Sequence, residues 1–83
     1  MTRYAAQLLL LPGDEILSLQ VVEIDGGNIR HYPFTEELPF TQWLEGAIEI
    51  VNVGEGREEA YHLTPYDVTN RRAVDGTRRI RLR

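Results

Sequence analysis

Apolar and polar positions alternate with a period of two along much of this chain, and turn residues interrupt the alternation about every ten residues. Residues 16–24 (ILSLQVVEI) are rich in β-branched and aliphatic side chains, and Asp25-Gly26-Gly27-Asn28 follows at once. Gly and Asn tolerate the positive φ that a tight reversal needs, so these four residues predict a hairpin turn. Ile29, His31, Tyr32 and Phe34 resume the strand pattern over residues 29–34. Residues 4–11 read as a strand before this pair, with Pro12-Gly13-Asp14-Glu15 as the turn between. Three sequential antiparallel strands form a meander. Val21 and Val22 are apolar on both faces, which predicts a central strand or a bend where the faces switch.

The pattern fails between residues 35 and 46. Pro33 and Pro39 discourage a strand interior there. Residues 41–45 (TQWLE) read as one helical turn, with Thr41 as N-cap and Gly46 as its end. Phe40, Trp43 and Leu44 are then expected to plug one open end of the sheet. Alternation returns in residues 47–53 (AIEIVNV), where Ile48 and Ile50 oppose Glu49. Gly54-Glu55-Gly56 is a turn, and residues 58–63 form a fifth strand with Ala60 and His62 opposite Tyr61 and Leu63. Residues 64–67 read as a loop, residues 68–74 fit no single element, and Asp75-Gly76 signals another hairpin. Residues 78–83 alternate strictly, with Arg79, Arg81 and Arg83 on one side and Ile80 and Leu82 on the other.

The expectation is a single all-β domain over residues 1–83: a small antiparallel sandwich or partly open barrel of about six strands with one short helical turn. At 83 residues the chain buries a modest core, and small domains often gain stability by oligomerising. It contains no cysteine, which excludes disulfides and thiolate chemistry and fits a reducing compartment. The run Leu8-Leu9-Leu10-Leu11 is too short for a signal-peptide core, and no stretch has the length of a membrane span. A cytoplasmic protein is expected.

Charge divides the chain. All nine basic residues are arginine. Residues 1–62 carry three of them against eleven carboxylates, net −8, and residues 63–83 carry six against two, net +4. Such a basic tail either folds back on the acidic body or meets an anionic partner.

Reactive chemistry has few candidates. His31 and His62 are the only histidines, and no His-x-His or His-Glu-x-x-His motif occurs. Ser18 is the sole serine and has no nucleophile elbow around it. The adjacent carboxylate pairs Asp14-Glu15, Glu36-Glu37 and Glu58-Glu59 lie near turns, without a cleft to set their pKa values apart. Gly54-Glu55-Gly56 lacks the remaining residues of a phosphate loop. Arg79, Arg81 and Arg83 are placed to meet phosphates, a second subunit, or carboxylates on a neighbouring strand such as Glu49.

Residues 8–17 (LLLLPGDEIL) and 21–29 (VVEIDGGNI), with Pro33-Phe34 after them, resemble the amino-terminal β-segment of the amidohydrolase superfamily. In that family the segment belongs to a small composite β-sandwich beside a TIM-like barrel. The likeness spans about residues 4–38. The family's Pro-Gly-x-(Ile/Val)-Asp-x-His-x-His motif and its barrel have no counterpart here. The resemblance therefore implies an accessory β-domain standing alone, and no catalytic residue carries over.

The expected function is non-catalytic: protein contacts, as a homo-oligomer or accessory subunit, with no cofactor and no metal. Phe40, Trp43, Arg79, Arg81 and Arg83 are the interaction candidates. Two alternatives stand beside it. One is a metal-assisted or small-ligand site at His31 and His62. The other is nucleic-acid binding through the arginine strand.

Overall fold

Six runs of alternating or apolar residues pair into one sheet in the computed structural model, which describes residues 1–83. They are β1 (Thr2–Leu10), β2 (Ile16–Asp25), β3 (Asn28–Pro33), β4 (Thr41–Gly54), β5 (Arg57–Asp67) and β6 (Arg72–Leu82). The order across the sheet is β3-β2-β1-β4-β5-β6. Two three-stranded meanders thus meet edge to edge through their first strands. Every pairing is antiparallel except the central one, where β1 runs parallel to β4. The all-β class and the six strands agree with the sequence expectation, while the parallel pair departs from an all-antiparallel sheet. It follows from the connection after β3, which crosses β2 and β1 before the chain enters β4.

No helix forms. Residues 41–45 are the start of β4, not a helical turn. A single turn fixes several dihedrals for one hydrogen bond and is marginal alone. The free edge of β1 offers a ladder instead, pairing Arg3 with Thr41 and Ala5 with Trp43. The Asp75-Gly76 hairpin is also corrected. The chain reverses at residues 68–71, and residues 74–77 bulge out of β6 opposite Pro65. Proline has no N–H to give a partner strand, so the ladder is interrupted there. Thr77 closes the bulge, its hydroxyl accepting from the Val74 N–H at 2.9 Å and lying 2.6 Å from the Pro65 carbonyl oxygen.

The sheet bends along a line through its centre. Leu19 in β2 has φ +54° and Gly46 in β4 has φ +98°. Both lie level with Gln7, where Glu45 and Gly46 together oppose one residue of β1. Across this line the inward positions pass from Tyr4 and Ala6 to Leu9 in β1 and Leu11 just after it. Those of β2 pass from Leu17 to Val22 and Ile24. The extra residue in β4 keeps Leu44, Ile48 and Ile50 all inward. Curling brings β3 against β5 and buries Ala60 and Leu82 with this main cluster. A second cluster, Leu8, Ala47 and Leu63, lies on the outer face beneath Tyr66 and Val68 of the β5–β6 hairpin. No helix is long and apolar enough to cross a membrane.

Candidate functional site

The connection from β3 to β4, residues 34–40, passes over the outer face of the sheet as a strap. Two bonds set its path. The Phe34 N–H donates to the Leu19 carbonyl at 3.0 Å, where β2 kinks. The Arg3 guanidinium donates through Nη1 to the Pro39 carbonyl at 3.1 Å. Between strap and sheet lies an open cleft of about 370 Å³, lined by Ala5, Phe34, Glu37, Leu38, Thr41 and Trp43. Phe34 and Trp43 meet edge to face, with centroids 6.3 Å apart and ring planes at 81°.

The expected plug does not form. Leu44 is buried in the main cluster, but Phe40 is 94% exposed and Trp43 52% exposed. The reason lies in strand geometry. Once residues 41–45 join the sheet, neighbouring side chains point to opposite faces, so Trp43 turns outward when Leu44 turns inward. Phe40 stands just before the strand at φ +58°. A non-glycine residue there is strained, and its side chain gains nothing from burial. Phe40→Gly is therefore expected to raise stability by about 0.5–1 kcal/mol in urea denaturation. Loss of stability in this variant would show that the ring packs in the folded monomer.

Beside the cleft sits a buried carboxylate that no sequence motif marks. Glu23 is only 3% exposed. Its Oε1 accepts from Arg30 Nε at 2.7 Å, and its Oε2 accepts from Arg3 Nε at 2.9 Å and from the Tyr32 hydroxyl. These donors, led by Tyr32, hold the Glu23 pKa down to about 2. Burial and the same hydrogen bond raise that of Tyr32. One charge inside the otherwise apolar Val21–Ile24 stretch was the available signal. Glu23 thus ties together β1, β2 and β3, and Arg3 extends the tie to the strap.

The arginine strand is largely engaged within the chain. Arg79 Nε lies 3.1 Å from Glu49 Oε1, and its guanidinium sits 4.1 Å from the centroid of the Tyr61 ring. Arg81 Nη1 lies 3.1 Å from Glu59 Oε2. The Arg83 carbonyl accepts from the Tyr4 hydroxyl at 3.2 Å, and its side chain is exposed without an ion pair. Arg57, Arg71 and Arg78 likewise form none. Arg79, Arg81 and Arg83 do not join Phe40 and Trp43 in one site, because β6 is the far edge of the sheet.

His31 on β3 and His62 on β5 make separate contacts. His31 Nδ1 is 3.2 Å from Gln20 Oε1, and His62 Nε2 meets the Glu45 carbonyl. No group of three or more histidine, cysteine or carboxylate side chains is placed to hold a metal ion. No family model, no curated protein and no solved structure matches the chain.

Proposed function

We propose that this is a β-domain that acts through protein contacts, without catalysis of its own, and that its partner is a second copy of itself. The observation that carries the reading is the exposure of Trp43, which lines the cleft with Phe34, and of Phe40 at the end of the strap. Large aromatic side chains exposed on a folded surface favour an interface. The cleft lies in the acidic part of the chain, with Glu36 and Glu37 on the strap. Two strands away from β4, at an edge of the sheet, β6 shows the complementary chemistry. Ile80 is 49% exposed, and Arg78 and Arg83 carry no ion pair. In a two-fold dimer the aromatic cleft of each copy receives β6 of the other, so the contact forms twice. Charge complementarity of this kind makes the association sensitive to salt.

Removing residues 78–83 would take away the buried Leu82 along with the arginines, so substitution is the cleaner test. Trp43→Ser and the double substitution Arg78→Ser/Arg83→Ser are each expected to weaken self-association in sedimentation equilibrium by about tenfold or more. Combined, they are expected to lose less than the two separate effects together, because the residues meet across one interface. Full additivity would separate the two surfaces and contradict the proposed pairing.

A further inference from the structure

We infer that the cleft between Trp43 and Glu37 is a binding site for a guanidinium group, the side chain of an arginine on a bound polypeptide. The inference rests on the self-association reading for the role of the site, but its chemistry is argued independently.

Three observations converge. The first is the lining. Two aromatic rings set at 81° form adjoining walls, and Glu37 supplies a carboxylate beside them. Ring faces carry the negative part of an aromatic quadrupole, so rings and carboxylate favour the same sign of guest. Arg3, which bonds the strap at Pro39, is already paired with Glu23, and Glu37 forms no ion pair.

The second observation is the molecule's own precedent. Arg79 stacks on Tyr61 at 4.1 Å and pairs with Glu49 at 3.1 Å. A ring and a carboxylate from adjacent strands there hold one guanidinium from a third. The cleft presents the same two partners, with no cation of the chain supplied to them.

The third is an orphan. Thr41 Oγ1 is the only buried side-chain polar atom with no hydrogen-bond partner, and Thr41 is part of the cleft wall. Buried polar groups are nearly always satisfied. A guanidinium has five N–H donors in a planar fork, enough to bond Glu37 and still serve a neighbouring hydroxyl while its plane lies on Trp43. An ammonium lacks that flat stacking surface, so arginine is favoured over lysine.

Trp43 is the sole tryptophan, so intrinsic fluorescence reports on the cleft directly. The test uses the full chain, diluted until it sediments as one chain, titrated with acetyl-Gly-Arg-Gly-amide. The same peptide with citrulline replaces the guanidinium by an uncharged urea of nearly the same shape. A saturable change in Trp43 emission is expected with the arginine peptide. Binding of the citrulline peptide is expected to be weaker by about tenfold or more. Glu37→Gln, a substitution on the exposed strap, is expected to weaken the arginine peptide by about fivefold or more and leave the citrulline peptide unchanged. Equal response to both peptides overturns the inference while leaving an apolar contact surface in place. No saturable response to either peptide also overturns it. The self-association reading then stands or falls separately, on the mass of the protein in solution.

Discussion

Gly46→Ala is expected to cost about 2–5 kcal/mol, a large part of the stability of so small a domain. Two effects act together at this position. Gly46 sits at φ +98°, where any side chain is strained by about 1–2 kcal/mol. A Cβ built there also runs into the carbonyl oxygen of Leu63 on the neighbouring strand. That neighbour is backbone in a paired ladder and cannot rotate away, so overpacking adds about 1–3 kcal/mol or more. A domain of this length has roughly 4–12 kcal/mol in total. Only 14 apolar residues are buried, which puts it in the lower part of that range. Gly54→Ala is the control. Gly54 has φ +103° but open space where the Cβ would go, so it is expected to lose about 1 kcal/mol and stay folded. Far-ultraviolet circular dichroism with urea titration separates the two. Equal, small losses would mean that the bend at Gly46 relaxes freely, and that the crossing of Glu45 and Gly46 past Gln7 does not set the curl of the sheet.

Glu23→Gln is the second large loss, and its signature is a changed response to acid. The ionised carboxylate holds Arg3, Arg30 and Tyr32 at one buried point. An amide of the same shape keeps the hydroxyl bond but leaves two guanidinium groups without their counter-charge. The melting temperature at pH 7 is expected to fall by on the order of 10 °C. The sign of the pH effect follows from the lowered pKa. Stability from Glu23 is fully present above the ordinary carboxylate value near 4.5, and is lost as pH falls from there through about 2. The wild type should therefore lose stability over that window more steeply than Glu23→Gln, and the two should converge near its lower end. Parallel profiles would show that other carboxylates govern acid unfolding. Since Arg3 also holds the strap at Pro39, the variant is expected to loosen the aromatic cleft as well.

Much of the fold can be read from the sequence because strands and turns carry local signals. The hairpin at Asp25–Asn28 joins β2 and β3 as expected, and Val21 and Val22 are both buried in a strand flanked on each side. Ile48 and Ile50 face the core while Glu49 faces the other way, toward Arg79. What could not be read was non-local. Thr41, Trp43 and Glu45 have a tolerable helical pattern in isolation, and only the waiting edge of β1, some forty residues earlier, makes them a strand. Asp75-Gly76 has the chemistry of a hairpin turn, but Pro65 on the facing strand makes it a bulge. The cleft was hidden for the same reason. Its residues are separated in sequence, and the strap that assembles them is placed by Arg3 and Leu19.

The outward turn of Phe40 and Trp43 has a physical consequence for the monomer. The fold exposes two of its largest apolar side chains and holds one of them in a strained conformation. Strain of this kind persists where surrounding structure over-determines it, and it concentrates at binding surfaces. The arginines of residues 72–83 divide in two. Arg72, Arg79 and Arg81 pair with carboxylates of the sheet, and Arg78 and Arg83 form no ion pair.

The most direct test of self-association is the mass of the wild-type protein by light scattering, over a range of protein concentration at low and high salt. The account predicts a mass rising to twice 9.6 kDa as concentration increases at low salt, and falling back toward one chain at high salt. A mass of one chain at every concentration and salt would contradict it, and would assign the exposed aromatic cleft to a different protein.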